Sequence, residues 1–281
     1  MFHEVLVPFN GSNDTIHAVE IGAGLARAGS RPLRVLAYSS NADEPVRSRA
    51  LFDMIDSIGE RYSMSPQVTS VQSQRFLAEE LLLEATRRTG SVLCLPSQGL
   101  GRKALVTGSL ATEILTKAPG PVVLVGPDCE ERLFEHAGPL VVALDGSAGS
   151  EHIISVAHDW AEDFKLPVEV VTVLDPTPPP LMAQAIARGD VQESAYVSRV
   201  SRHSELSEND TTYEILHGKP VSEILREANL RDASMIAIAS HVPVGIDRLL
   251  HGSVLDEVVR HSPVPVVAVN QNAFDGQPSV G

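Results

Sequence analysis

The chain is short of cysteine, short of positive charge and without a long hydrophobic run, and each shortage removes a class of protein. Two cysteines in 281 residues cannot build a disulfide scaffold. Cys94 falls in the apolar run Ser91-Val92-Leu93-Cys94-Leu95 and reads as a small buried hydrophobe. Cys129 falls in an acidic segment. This usage suits a reducing cytoplasm, which is the expected location. Lys and Arg number 22 against 36 Asp and Glu, a net charge of −14. An acidic surface repels phosphate backbones and anionic lipid, so neither nucleic acid nor membrane is an expected partner. The deficit is uneven: residues 1–135 carry 13 basic and 16 acidic side chains, and the remainder 9 and 20. No apolar run approaches the roughly 18 residues of a membrane span. Met1-Phe2-His3-Glu4 lacks a basic region followed by an apolar stretch, so no signal peptide is expected. The G-x₄-G-K-[ST] loop of P-loop ATPases and the G-x-S-x-G elbow of serine hydrolases are both absent from the sequence.

What is present is repetition. Val5-Leu6-Val7-Pro8-Phe9-Asn10-Gly11-Ser12 returns as Val141-Val142-Ala143-Leu144-Asp145-Gly146-Ser147. Gly108-Ser109 before Pro121-Val122-Val123-Leu124-Val125 returns as Gly252-Ser253 before Pro265-Val266-Val267-Ala268-Val269. Gly11 and Gly146 are 135 positions apart, as are Leu36 and Val171; Glu84 and Glu227 are 143 apart, and Gly108 and Gly252 are 144. The second copy therefore gained residues mainly in one place. Repeats of this length are duplicated domains, since solenoid units run to about 20–50 residues. A domain of about 140 residues can bury its own core.

In each copy, short β-branched runs alternate with segments of helical spacing. Strands are expected near 4–8, 33–38, 66–72, 91–95 and 121–126, then 139–144, 167–173, 211–216, 234–238 and 264–269. Helices are expected near 13–29, 44–63, 76–89 and 108–117, then 148–164, 180–206, 220–230 and 252–261. Strands separated by helices require crossover connections and hence a parallel sheet. Met235-Ile236-Ala237-Ile238 is apolar at every position, as a strand covered on both faces should be. Residues 127–138 form a linker rich in charge, and 271–281 a polar tail.

Such folds bind ligands at the carboxyl edge of the sheet. Two strand-to-helix turns stand out in each copy. The first is Pro8-Phe9-Asn10-Gly11-Ser12 and Leu144-Asp145-Gly146-Ser147. Asn10 or Asp145 here either bonds a ribose hydroxyl or base edge, or, with the following Ser, caps the next helix. The second turn ends in Gly108-Ser109-Leu110 and Gly252-Ser253-Val254. Free N–H groups and the positive end of the helix dipole favour phosphate there; the alternative is again a cap, with Ser253 and Asp256 as a capping-box pair. His241, His251 and His261 recur ten apart, and contact with a phosphate is the expectation over a metal site, of which none is expected.

These turns, together with Leu216-His217-Gly218-Lys219-Pro220 and Arg248-Leu249-Leu250-His251-Gly252-Ser253-Val254 before Pro263-Val264-Pro265-Val266-Val267, resemble the universal stress protein family in its tandem-domain form. The resemblance implies an α/β fold of two fused, doubly wound, five-stranded parallel sheets of order 3-2-1-4-5, with domains at 1–126 and 139–270. It implies a pseudo-dimer pairing Val122–Val125 with Val266–Val269, and it admits a further homodimer. It also implies a non-enzymatic cytoplasmic stress-response protein that binds ATP, with Mg²⁺, or a related adenine nucleotide. The residues placed at the nucleotide by the resemblance are Pro8, Phe9, Asn10, Tyr38, Gly99, Gly108, Ser109 and Leu110 in the first copy. In the second they are Ala143, Leu144, Asp145, Val173, Ser240, His241, Gly252, Ser253 and Val254. The family's G-x₂-G-x₉-G-[ST] loop is altered in both. Ala239 and Val242 replace the two leading glycines of the second copy, at full spacing. In the first copy Pro96 replaces one glycine, Gly99 remains, the spacing to Gly108 is one short, and Asn10 stands in place of Asp. The altered glycines support a second expectation, a nucleotide-independent interaction protein.

Overall fold

Among the described residues, ten short strands assemble into one continuous sheet. The computed structural model describes residues 2–39, 49–71, 77–88, 90–97, 109–131, 138–147, 149–174, 200, 206, 210–240 and 254–270. The first copy runs β1 (Glu4–Phe9), α1 (Asn13–Ala28), β2 (Leu33–Ala37), α2 (Arg49–Arg61), β3 (Gln67–Ser70), α3 (Leu77–Arg87), β4 (Ser91–Pro96), α4 (Ser109–Lys117) and β5 (Val122–Val125). The second runs β6 (Leu140–Leu144), a short 3₁₀ turn (Ser150–His152), α5 (Ile153–Phe164), β7 (Val168–Leu174), β8 (Thr211–His217), α6 (Pro220–Leu230), β9 (Met235–Ser240), α7 (Val254–His261) and β10 (Val266–Asn270). The helix expected over 180–206 lies almost wholly outside the described residues.

The strand order is β3-β2-β1-β4-β5-β10-β9-β6-β7-β8. Pairing is parallel within each copy and antiparallel only between β5 and β10. Two fused five-stranded sheets, paired through their fifth strands, were the expectation; the structure has one sheet of ten strands. The reason is that β5 and β10 are both edge strands of apolar residues. An unpaired edge leaves N–H and C=O groups without partners, and mutual pairing removes both edges at once. At this seam Val267 lies opposite Val123, Val266 opposite Leu124 and Ala268 opposite Val122. All six are buried. Fully burying a valine or leucine is worth roughly 1.5–3 kcal/mol, so the seam is a core and not a surface contact. Side groups reinforce it: Asn270 donates to the Thr116 carbonyl at 2.9 Å, and the Glu130 amide donates to the Pro263 carbonyl at 2.8 Å. Gly126 is needed here because a Cβ would lie 1.8 Å from the Val259 carbonyl oxygen.

Local chemistry explains the helices that position the turns. Ser12 caps α1, its hydroxyl accepting from the Thr15 amide at 3.4 Å. Ala18, Ile21, Leu25 and their neighbours form the buried face of α1. Gly22 lets that face approach β1, since a Cβ there would meet Val7 at 2.7 Å. Pro220 opens α6 at its first turn, where its missing N–H costs nothing. α5 ends at Lys165, which adopts the left-handed conformation with φ 54°.

Because the seam is antiparallel, the carboxyl ends of one copy's strands share an edge of the sheet with the amino ends of the other's. The two sets of strand-to-helix turns singled out in the sequence therefore open on opposite edges.

Candidate functional site

In the second copy, five elements meet at one place. The ends of β6, β7 and β9 and the starts of α6 and α7 surround a cavity of about 210 Å³. Of the residues expected at a ligand, Ala143, Leu144, Asp145, Val173, Ser240 and Val254 all line it. His241, Gly252 and Ser253 lie outside the described residues. Sequence reasoning missed Val171, Ile238, Ile224, Pro220, Leu255 and Ser150, which also line it. A signal for two existed: Val171 is two residues before Val173, so both face one side of the strand. Pro220 stood in the loop that carried the resemblance. Ala239, at the position of a lost glycine, also lines the cavity.

The rim is set by the turn after β6. The Ser147 amide donates to Asp145 Oδ1 at 2.9 Å. The Ser150 hydroxyl donates to the Ser147 carbonyl at 2.8 Å, and the Asp145 amide donates to Ser150 Oγ at 3.3 Å. Gly146 makes the turn possible with φ +86°, and a Cβ there would meet nothing within 4 Å. The result is a carboxylate held at the mouth of an apolar cavity. Such a site suits a ligand with a flat apolar body and a hydroxyl-bearing rim.

The first copy builds the same turn with different cover. The Ser12 amide donates to Asn10 Oδ1 at 3.0 Å, and the Thr15 hydroxyl donates to the same oxygen at 2.9 Å. Gly11 has φ +83°, but a Cβ there would lie 2.5 Å from Leu51 of α2. Leu51 and Met54 thus sit over this turn. Pro8 and Phe9 are buried within β1, and Tyr38 follows β2 at 1% exposure. Burial, with Asp14 nearby, pushes the Tyr38 hydroxyl well above its usual range. These three side chains are brought together as core. Leu110 is half-buried in the first turn of α4, and Ser109 opens that helix. Gly99 and Gly108 lie outside the described residues.

Among the described residues, His17, Glu20 and Glu131 bring three potential metal-ligating atoms within 4.8 Å of one another. Burial, and then Glu131, raise the Glu20 carboxyl above its usual range. Arg61 already bonds Glu20 at 2.6 Å and Glu131 at 3.4 Å, so a guanidinium supplies the positive charge here. His261 closes α7 with Nδ1 3.4 Å from Asp128 Oδ2, while His241 and His251 lie outside the described residues. Burial raises the thiols of Cys94 and Cys129 far above their usual range, which leaves them without thiolate reactivity. No helix among the described residues is long and apolar enough to cross a membrane.

Comparison with known proteins agrees with this architecture. Residues 137–270 match the model of the universal stress protein family. A universal stress protein of Mycolicibacterium smegmatis is 24% identical over 220 residues, covering 76% of this chain and 72% of its own. The stress response protein NhaX of Bacillus subtilis is 27% identical over 163 residues, covering 48% of this chain and 98% of its own. Among solved structures, a universal stress protein from Archaeoglobus fulgidus aligns with TM-score 0.59 at 17% identity, covering 95% of this chain and 98% of its own. Protein PA1789 from Pseudomonas aeruginosa aligns with TM-score 0.62 at 18% identity, covering 98% and 95%. These two likenesses concern the fold, and each spans both copies. The second half, residues 137–270, thus matches the universal stress protein family, and the first half is folded in the same strand order.

Proposed function

We propose that this chain is a non-enzymatic stress-response protein of the cytoplasm that takes an adenine nucleotide, ATP with Mg²⁺ or a related compound, in the cleft of its second half. One observation carries the reading. Six of the nine residues singled out in that half line one cavity, with the Asp145 carboxylate at its rim. Asp145 would hold ribose hydroxyls, the apolar walls would take the base, and the start of α7 would meet the phosphates. The test is thermal unfolding with ATP and Mg²⁺, ADP, AMP and cyclic AMP. A ligand at 100 times its Kd stabilises by about 2.7 kcal/mol. Asp145→Ala should abolish the shift; a shift that survives this substitution would place the nucleotide elsewhere.

A second reading is favoured by cavity size. About 210 Å³, with Ala239 in its wall, is below the roughly 300–1,000 Å³ of most small-molecule pockets. On this reading the family fold is kept for protein contacts and the nucleotide site has closed. Restoring glycine at Ala239 and Val242 separates the two readings. If lost backbone approach limits binding, the double variant binds ATP more tightly by calorimetry. If it binds no better than the parent, the interaction reading is the one to keep.

A further inference from the structure

One side-chain cluster serves neither the cleft nor the seam. It lies on the first copy, where α1 faces the joint between the halves. His17 and Glu20 are three residues apart on α1 and so share a face. Glu131, in the joint that follows β5, meets them there. One potential ligand atom from each of the three lies within 4.8 Å of the other two.

Its groups are those of a transition-metal site. Nε2 of His17 is closed to water and has no hydrogen-bond partner. A buried polar atom left unpaired is a cost that a bound ion removes. The buried Glu20 carboxyl is held against Glu131, which with burial raises it above its usual range. Two carboxylates here share one guanidinium: Arg61 Nη1 donates to Glu20 Oε1 at 2.6 Å and to Glu131 Oε2 at 3.4 Å. One negative charge is left over, and a divalent ion in place of the guanidinium would balance it. The Arg61 and Glu131 side chains are 55% and 48% exposed, so the first can swing into water and the second can follow an ion. Zinc–ligand bonds of about 2.0–2.2 Å set neighbouring ligand atoms roughly 3.3–3.6 Å apart, so the cluster closes by movements of at most about 1.5 Å.

One imidazole nitrogen with two carboxylate oxygens suits Zn²⁺, Co²⁺ or Ni²⁺. It does not suit Mg²⁺ or Ca²⁺, which take oxygen ligands. The set is particular to the first copy. At the 135-residue offset that relates the copies in this region, His17 is matched by His152 but Glu20 by Ser155. The fold alone does not call for this trio. We propose that His17, Glu20 and Glu131 form a binding site for one divalent first-row transition-metal ion, which displaces Arg61. Bound there, the ion ties the joint between the halves to α1.

Zn²⁺ would be titrated by calorimetry into the full chain after treatment with a chelator, with Mg²⁺ as the control. The expected result is saturable binding of zinc and none of magnesium at the same concentration. The chain has ten histidines, so variants assign the site. Losing even a group that only orients a ligand costs a metal site about 10–100-fold in affinity. His17→Gln and Glu131→Gln should therefore each weaken zinc binding at least about tenfold. Glu131 is exposed, so the second variant stays folded even where the first does not. Arg61→Gln should tighten binding, because metal and guanidinium compete for the same oxygens. The proposal is overturned if zinc does not saturate, if magnesium binds as well as zinc, if Glu131→Gln binds zinc as tightly as the parent, or if Arg61→Gln weakens binding.

Discussion

Replacing Arg34 by methionine tests whether a buried ion network holds the amino edge of the first copy. Arg34 is 4% exposed and Glu4 3%. Arg34 Nη2 donates to Glu4 Oε1 at 2.8 Å, and Nη1 donates to Glu84 Oε2. Methionine keeps most of the stem and deletes the charge. Breaking a buried pair from one side costs about 3–5 kcal/mol, because the remaining charge is stranded. Here the strandedness is partial. Glu4 keeps the Ser91 hydroxyl at 2.6 Å and Arg88 at 3.2 Å, and Glu84 keeps Arg87 at 2.5 Å. The lower end, about 3 kcal/mol, is expected. For a protein of this size that is a fall in Tm of roughly 6–12 °C. The pH dependence has a fixed sign. The hydrogen bond from Arg34 holds the Glu84 carboxyl below its usual 4.5. A depressed carboxyl contributes stability above the usual value and loses it as pH falls through the folded value. The gap between parent and variant should be full at neutral pH and narrow below pH 4.5. Urea unfolding at neutral pH and at about pH 3.5 reads both quantities. Adding Glu4→Gln to Arg34→Met should recover part of the loss. A loss below about 1 kcal/mol at neutral pH, or a gap that stays constant with pH, would refute the reasoning.

Other outcomes follow from single features. Val267→Lys places an ammonium opposite Val123 in a seam closed to water and should separate the halves or precipitate the chain, which size-exclusion chromatography would show. Gly146→Ala should cost about 1 kcal/mol, the strain of a positive φ alone. Gly11→Ala should cost more in the same denaturation series, because its Cβ also strikes Leu51. Cys94 and Cys129 should resist a thiol reagent in the folded protein and react only at the rate of unfolding.

The turns were legible because they depend on neighbours in the chain. Gly11 and Gly146 both show positive φ, and Asn10 and Asp145 both accept from the Ser amide two residues on. The strand runs were legible for the same reason, since β-branched stretches bounded by glycine and proline declare themselves locally. The cover of each turn was not. Leu51 reaches Gly11 only once α2 has packed against α1, and nothing in the periodicity of either segment signals that meeting. The Phe2–Trp160 contact joins opposite copies and depends on the docking of α5. The Glu4–Arg34–Glu84 network has the same character. Its counterpart in the second copy reverses the charge on the strand: Glu169 sits on β7, and Arg231 reaches it at 3.0 Å from beyond α6. Conserving the role while exchanging the residue leaves no repeated letter to read.

The β5–β10 seam carries one more implication. Two identical chains meeting along an edge would fall apart on dilution, and any substitution at their contact would strike both sides. Here a tether keeps each partner at an effective concentration on the order of millimolar, so the stoichiometry is one to one at any protein level. A substitution alters one face alone. The copies are thereby released from matching each other, and they have drifted: Asn10 against Asp145, Gly99 against Val242, Leu25 against Trp160. A covalent pair of this kind can retain one cleft and refashion the other without losing its partner.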